Sequence, residues 1–226
     1  MNSLDAAVIL GADIQRILKR MIKNLIFDMG DVLIGYRWKE MLTEDFGVPE
    51  ERAYPIGKAL FEDPIWREFD AGLKPMETVL EHYSALFPDD AEVIRRMFYE
   101  GERMPVKRER VWEKVAQLKE KGYRLYVLSN YSEYLFNKHT RDVPVIPLMD
   151  GMVISYQVHS IKPDHAIYRH ILDKYDLKPE ESIFFDDRAE NVEAARELGM
   201  EAEQITSEDM LLELLSEFTD DSKDII

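Results

Sequence analysis

The sequence carries four short polar motifs whose side chains could together transfer a phosphoryl group. They are an acidic turn, a Ser-Asn pair, a Lys-Pro-Asp junction and an aspartate pair, at Asp28-Met29-Gly30-Asp31, Ser129-Asn130, Lys162-Pro163-Asp164 and Asp186-Asp187. Phosphoryl transfer to an enzyme needs a nucleophilic oxygen and positive groups that neutralise the phosphoryl oxygens. A carboxylate, a hydroxyl, an ammonium group and an acid pair that binds a cation would meet these needs if the fold brings them together. Alone, each motif is equally typical of a turn or a helix cap.

Three of these motifs directly follow apolar runs that predict buried strands at 22–27, 123–128 and 182–185. A further strand is predicted at 151–158 and a short one at 202–205. Helical patterns separate the runs, and strands that alternate with helices indicate a parallel sheet with helices on both faces. We therefore expect an α/β, Rossmann-like core in which ligands bind beyond the carboxyl ends of the strands.

The helices of this core are indicated by apolar residues at helical spacing. One is predicted at 107–121 and ends at Gly122. Another follows Lys162 and has Pro163 at its first helical position, where the missing N–H of proline costs nothing. A third follows the aspartate pair and ends at Gly199.

The segment 37–105 contains no strand-like run. Short helical patterns alternate there with residues that end helices, at Gly47, Pro64, Pro88 and Gly101. The segment is therefore predicted to be mainly helical and to be inserted after the first strand. At the two ends of the chain, residues 3–18 predict an amphipathic leader helix, and the acidic tail is expected to fray.

Composition narrows the class of partner. The net charge is −16, so the chain repels nucleic-acid backbones and anionic membranes. There is no cysteine, which excludes disulfides and thiolate chemistry. Neither a signal peptide nor a run of about 18 apolar residues is present, so no membrane partner and a cytoplasmic location are expected.

As a set, the four motifs resemble the four-motif pattern of the haloacid dehalogenase superfamily, over roughly 21–205. The resemblance implies a core formed by 21–36 and 106–226 and a helical cap of the subgroup I type at 37–105. Residues 1–20, which carry the predicted leader helix, precede the part of the chain that the resemblance covers. Most members of that superfamily are Mg²⁺-dependent phosphatases that act through an aspartyl-phosphate. The expected function is therefore hydrolysis of a small phosphorylated metabolite, by a monomer or a homodimer.

The resemblance also implies a role for each motif. Asp28 matches the nucleophile, and Lys162 matches the lysine that bridges nucleophile and phosphate. Ser129 and Asn130 match the residues that hold the phosphoryl group. The implied Mg²⁺ ligands are Asp28, the carbonyl of Gly30, Asp186 and Asp187. Asp186 is favoured as the direct ligand of the last pair, with the reverse assignment open.

Gly30 departs from the usual pattern, in which the second residue after the nucleophile is an aspartate that protonates the leaving group. General acid catalysis is typically worth ~10²–10⁴ in rate. Its absence favours substrates with good leaving groups, such as an anomeric sugar phosphate like glucose-1-phosphate. The chain is similar in this respect to sugar-1-phosphatase-like members of the superfamily.

Two alternatives remain at the level of sequence. A non-catalytic binding or regulatory module of the same fold is consistent with Gly30. A 2-haloacid dehalogenase is disfavoured, because that reaction uses no metal and has no need of the aspartate pair at Asp186. Cationic and aromatic candidates to face a substrate from the cap are Arg37, Trp38, Arg67, Arg103 and Lys107.

Overall fold

The computed structural model of the protein describes residues 21–220. A five-stranded parallel sheet in the order β5-β4-β1-β6-β7 forms its centre. A separate antiparallel ribbon consists of β2 and β3. The strands are β1 Asn24–Phe27, β2 Gly35–Tyr36, β3 Pro105–Val106, β4 Arg124–Ser129, β5 Gly151–Ile154, β6 Ser182–Asp186 and β7 Glu201–Gln204.

Eleven α-helices accompany these strands in the part of the chain that is described. The first five lie between β2 and β3, and the other six belong to the sheet domain. They are α1 Trp38–Glu40, continued by a π-helical turn at Met41–Asp45, α2 Glu50–Glu62, α3 Pro64–Asp70, α4 Met76–Leu86, α5 Ala91–Tyr99, α6 Glu109–Glu120, α7 Glu133–His139, α8 Ser155–Val158, α9 His165–Tyr175, α10 Ala189–Glu197 and α11 Glu208–Thr219.

The central strand β1 is buried over its whole length because helices cover both faces of the sheet. Side chains alternate between the faces of a strand. Leu25 and Phe27 accordingly join one buried apolar cluster, and Ile26 joins the other. Phe27 also stacks on Phe185 of β6, with ring centroids 5.2 Å apart. The predicted α/β class, with a parallel sheet and helices on both faces, is confirmed.

The helical segment 37–104 leaves and rejoins the sheet domain through the β2–β3 ribbon. Gly35 pairs with Val106 and Tyr36 with Pro105. Directly beyond the ribbon, the Arg37 N–H donates to the carbonyl of Met104 at 3.0 Å. The two stretches of chain that connect the helical segment to the sheet therefore lie side by side.

Two details differ from the sequence prediction. The strand predicted at 151–158 ends at Ile154, which pairs with Ser129, the last residue of β4, so the ladder has no partner beyond it. The chain turns there into α8. Pro163 lies one residue before the N-cap Asp164 of α9 and is not the first helical residue, because the Asp164 carboxylate caps the helix through the Ala166 N–H.

The predicted leader helix at 3–18 and the end of the acidic tail fall outside the described residues. Within 21–220, no helix is long and apolar enough to cross a membrane.

Candidate active site

Parallel pairing brings two carboxylates from neighbouring strands to the same edge of the sheet. β1 and β6 pair in register from Asn24 and Ser182 onward, so Asp28 follows β1 beside the end of β6 at Asp186. The Lys162 ammonium lies between them, with Nζ 2.9 Å from Asp28 Oδ1 and 2.6 Å from Asp186 Oδ2. All three side chains are buried. We call Asp28, Lys162, Asp186 and the adjacent Asp187 the strand-end cluster.

The backbone of Lys162 is fixed by Asn130, which follows β4. The Asn130 side chain accepts a hydrogen bond from the Lys162 N–H at 2.8 Å and donates to its carbonyl at 3.0 Å. The Lys162 ammonium also donates to the carbonyl of Leu128 at 3.0 Å. Asn130 was predicted to hold a phosphoryl group, but its side-chain amide is engaged in positioning Lys162. Ser129 is buried beside Asp28 and lines the same cavity.

Asp186 has few free acceptor positions. Its Oδ1 accepts hydrogen bonds from the Arg188 N–H and from the Asn191 amide, each at 2.9 Å. Its Oδ2 accepts from Lys162. Asp186 therefore fixes the lysine, and Asn191, in the first turn of α10, steadies the loop through its hydrogen bond to Asp186.

The pKa values in the strand-end cluster have two causes. The side chains are buried or partly buried, and one cation lies among three carboxylic acids. Burial raises the pKa of Asp28 to about 6, and Asp186 adds to the rise while Lys162 opposes it. Burial alone would lower the pKa of Lys162, but the carboxylates of Asp186 and Asp28 hold it above its ordinary value. The ammonium is therefore charged at neutral pH.

The remaining acid, Asp187, gives the cluster a surplus of negative charge. Burial raises its pKa to about 7, and the charges of Asp28 and Asp186 add to the rise. One carboxylate oxygen from each of these three residues lies within 4.8 Å of the others. Carboxylate oxygens at this spacing suit a hard divalent cation such as Mg²⁺. The residues present therefore fit the predicted metal.

At Gly30, the space for a side chain is taken by an aromatic ring. A Cβ atom built there would lie 2.8 Å from Cε2 of Tyr36, closer than non-bonded carbon atoms approach. The Tyr36 phenol shares a short hydrogen bond with the Tyr131 phenol, which in turn contacts His139 Nδ1 at 2.9 Å. Burial raises the pKa of Tyr36 and Tyr131 well above the ordinary value and lowers that of His139 to about 4. All three groups are therefore neutral.

A cavity of about 620 Å³ opens over the strand-end cluster. Trp38, Phe61 and Trp66 form one side of it, and we call these three residues the aromatic wall. Their rings pack edge to face, with centroids 5.8 Å apart for the first pair and 5.2 Å for the second. Arg67, another predicted candidate, also lines the cavity.

The other cationic candidates of the helical segment have different surroundings. Arg37 pairs with Asp45 at 2.7 Å, and Arg103 pairs with the same carboxylate at 2.9 Å. Neither of these arginines lines the cavity, and Lys107 does not line it either.

Asp70, the last residue of α3, is a cavity residue that the sequence analysis missed. Its Oδ1 accepts a hydrogen bond from the Ser132 N–H at 3.1 Å. The backbone of the same stretch contacts the sheet domain, since Ser155 Oγ donates to the Asp70 carbonyl and His159 Nδ1 donates to the Ala71 carbonyl at 2.9 Å. No local signal marks Asp70, because its backbone donor Ser132 is 62 positions away.

This fold is matched by comparison with known proteins. The chain belongs to the haloacid dehalogenase-like hydrolase family, whose sequence profile matches residues 22–199. As a member of that family it is a hydrolase.

Fungal and bacterial proteins are among the relatives of this chain. A drimenol cyclase of Aspergillus calidoustus is 27% identical over 183 residues, which are 80% of this chain but 33% of that protein. A sesquiterpene phosphatase of Aspergillus oryzae is 25% identical over 178 residues, covering 79% of this chain and 87% of the phosphatase. A family enzyme of Bacteroides thetaiotaomicron, solved with magnesium and inorganic phosphate, superposes with a TM-score of 0.61 at 20% identity, over 82% of this chain and 95% of that one.

Proposed function

We propose that this chain is a Mg²⁺-dependent phosphatase that hydrolyses a small phosphorylated metabolite through a covalent intermediate on Asp28. The observation that carries the proposal is the Lys162 ammonium between Asp28 and Asp186 at 2.9 and 2.6 Å. A buried cation beside a carboxylate lowers the repulsion between that carboxylate and an incoming phosphate. The relative named as a phosphatase supports the same reaction class.

In the first half of the reaction, Asp28 attacks phosphorus and the bond from phosphorus to the leaving oxygen breaks. Lys162 and the Ser129 hydroxyl bind the phosphoryl oxygens while charge moves onto them. In the second half, water attacks the phosphorus, the bond from phosphorus to Asp28 breaks, and inorganic phosphate leaves. Asn130 and Asp186 keep the lysine in place through both halves.

Mg²⁺ would be held by the carboxylates of Asp28 and Asp187 and by the carbonyl of Gly30. When bound, it supplies positive charge that offsets the acidic surplus and the phosphoryl oxygens. The contacts favour Asp187 over Asp186 as the direct ligand, because the Asp186 oxygens are already engaged by Lys162, Arg188 and Asn191. Asp187→Asn is therefore expected to raise the Mg²⁺ concentration for half-maximal activity by roughly 10–100-fold, a range typical of weakened metal support. Asp186→Asn should lower activity with a smaller change in that concentration.

We also propose that 37–105 acts as a cap domain, because its helices supply the aromatic wall and Asp70 to a cavity whose opposite side is the strand-end cluster. Substrate choice would then lie with this segment. The glycine at position 30 favours a good leaving group, which an anomeric sugar phosphate such as glucose-1-phosphate provides.

A second substrate class is favoured by the aromatic wall. Three aromatic rings beside the cavity offer a large apolar surface, which suits a phosphate ester whose organic part is apolar or flat. The sesquiterpene phosphatase relative acts, by its name, on a substrate of the apolar kind. A test panel should therefore contain glucose-1-phosphate, an isoprenoid monophosphate and an aryl phosphate.

The decisive experiment measures phosphate release from this panel with Mg²⁺ and with EDTA, for the wild type and for Asp28→Asn. Asp209→Asn, at an exposed position on α11, is the matched control. Mg²⁺-dependent release that is lost only in Asp28→Asn, together with a phosphorylated Asp28 peptide after rapid acid quench, is the expected result. Release that persists in pure Asp28→Asn would overturn the mechanism. No release by any variant would favour the binding-module alternative.

A further inference from the structure

The glycine at position 30 leaves the proposed reaction without its usual proton donor. A donor must lie opposite the nucleophile, since the leaving oxygen is in line with the attacking one. Asp28 is at the sheet edge, so the leaving group faces the helical segment. A proton donor would therefore be one of the cavity residues of that segment, or a residue in contact with them.

Most ionisable residues that line the cavity are committed to other partners. Asp31 is exposed and pairs with Arg108 at 3.5 Å, and Glu190 pairs with Arg188 at 2.6 Å. Glu62 is also exposed, with its nearest cation the Lys58 ammonium at 3.8 Å. None of these three is placed over the nucleophile as an unpaired acid.

The phenols and the imidazole beside Gly30 are poor donors for a different reason. Tyr36 and Tyr131 hydrogen-bond to each other, and burial raises their pKa far above neutral. His139 has a pKa of about 4, so it is a neutral imidazole at neutral pH and is not an acid that can protonate a leaving group.

Asp70 differs from all of them. It lines the cavity on the side of the helical segment, and no salt bridge to it occurs among residues 21–220. Its carboxylate accepts hydrogen bonds from the Ser132 N–H and from the side chain of Trp66 in the aromatic wall. Ser132 lies three residues beyond Ser129, in the loop that would hold the phosphoryl group. Asp70 therefore lines the same cavity as Asp28 and Ser129, and it reaches that cavity from the helical segment.

The position of Asp70 is also fixed by its backbone. Ser155 Oγ and His159 Nδ1 donate to the carbonyls of Asp70 and Ala71. Gly72 has φ +69°, and a Cβ there would lie 3.0 Å from the carbonyl oxygen of Tyr156. The close approach of α3 to the sheet domain at this point requires glycine, and it holds the Asp70 carboxylate over the cavity.

We propose that Asp70 is the general acid and base of this enzyme, taking the place of the aspartate that is missing at position 30. The inference rests on the proposed phosphatase function. In the first half-reaction the protonated Asp70 carboxyl gives its proton to the leaving oxygen as the bond from phosphorus to that oxygen breaks. In the second half-reaction the Asp70 carboxylate takes a proton from the water that attacks the phosphorus of phospho-Asp28. The Asp70 proton is thereby restored in each cycle.

The protonation state agrees with this role. Burial raises the pKa of Asp70 to about 7, with hydrogen bonds from Ser132 and Trp66 opposing the rise. The charged groups that face it are Asp28, which adds to the rise, and Lys162, which opposes it. A pKa near the working pH is the one that serves an acid and a base in turn.

The test compares Asp70→Asn with the wild type on two substrates of similar shape, phenyl phosphate and 2,4-dinitrophenyl phosphate. Asparagine keeps an oxygen that accepts a hydrogen bond from the Ser132 N–H, but its amide group is not an acid that can protonate a leaving group. Release of phenol in the first turnover should fall by ~10²–10⁴-fold, while release of dinitrophenol, which leaves without a proton, should fall less than about tenfold. Phospho-Asp28 should then accumulate with dinitrophenyl phosphate, since water attack has lost its base.

Glu68→Gln, on the same helix and paired with exposed Lys74, is the matched control and should behave as the wild type on both substrates. Thermal unfolding of each variant checks folding. An equal loss of Asp70→Asn activity on both substrates, no loss on either, or a leaving-group dependence found in Tyr36→Phe instead would overturn the role of Asp70. A wild type that releases no phosphate from either substrate would overturn the phosphatase proposal itself.

Discussion

The strand-end cluster and the side of the cavity formed by the helical segment are built in different ways. In the cluster the acids lie at the ends of neighbouring strands of one parallel sheet, and the carboxylates of Asp28 and Asp186 both contact the Lys162 ammonium. On the opposite side, Asp70 and the aromatic wall come from helices, and Asp70 forms no salt bridge within residues 21–220. Under the proposed function, one side is a preorganised site for phosphate, and the other side provides leaving-group chemistry and substrate choice.

The largest effect should come from removing the nucleophile. Asp28→Asn keeps the shape of the side chain but cannot form the acyl phosphate, so kcat should fall by about 10⁴-fold or more, as for other essential groups. The unfolding temperature should not fall, because burial already raises the pKa of this carboxyl. Steady-state kinetics measure the fall in kcat, and calorimetry on the same preparation measures the unfolding temperature. A fall below tenfold would mean that the chemistry does not depend on the strand-end cluster.

Next in size is the loss of Lys162. Lys162→Met leaves the buried carboxylates of Asp28 and Asp186 without their shared cation, and such a break typically costs about 3–5 kcal/mol in the free energy of unfolding. Denaturant unfolding at pH 8 measures this cost. The companion variant Lys138→Met removes a partly exposed ion pair with Glu102 and should cost no more than about 1 kcal/mol. Equal costs for the two variants would show that the buried cluster is not specially coupled.

Gly30 lies where the two sides meet. Gly30→Ala would bring a Cβ to 2.8 Å from the Tyr36 ring, so we expect a loss of about 1–3 kcal/mol from overpacking. At Gly35 an added Cβ would be 3.4 Å from Val106, an ordinary contact, and Gly35→Ala should cost less. Chemical denaturation of both variants checks the order. If Gly30→Ala is the more stable of the two, the ring of Tyr36 does not restrict this position.

The smallest effect concerns Asp70 and its pKa. The folded chain keeps this carboxyl protonated up to about pH 7, whereas its ordinary pKa is 3.8. Between these values the folded state binds the extra proton, so stability falls as pH rises, and the cost is complete above pH 7. The Asp70 residue is only half-buried, so water screens a large part of this cost. Asp70→Asn should therefore unfold about 2–6 °C above the wild type at pH 8, equivalent to roughly 1–2 kcal/mol.

The same comparison at pH 4 should show no such gain. Scanning calorimetry in EDTA, with Glu68→Gln as the control, gives the difference at both pH values. A variant that is equally stabilised at the two pH values would show that the change is one of packing and not of charge.

The features that could be predicted from the sequence and those that could not also lie on different sides of the cavity. The parallel sheet and the edge position of Asp28, Ser129 and Asp186 were predictable because short apolar runs ending in polar residues are local signals. The position of Lys162 beside Asp28 followed from the resemblance, whereas its contact with Asp186 was not predicted. Tyr36, Tyr131 and Asp70 were not predictable, since the Tyr36–Tyr131 and Asp70–Ser132 contacts join residues 95 and 62 positions apart and no periodicity marks them. The strand predicted at 151–158 was too long because the end of its neighbour β4 is not visible in its own residues.

The β2–β3 ribbon also bears on how the chain folds. Phe27 and Val127 are neighbours in the sheet although about 100 positions separate them along the chain. Once Tyr36 and Pro105 have paired, the helical segment is a closed side loop, and the path between the two central strands shortens to about 30 positions. Loop-closure entropy grows with the logarithm of length, so early pairing of the ribbon lowers the entropic cost of docking β1 on β4 by roughly 1 kcal/mol. Four residues of ribbon thus let the sheet nucleate almost as though the helical segment were absent.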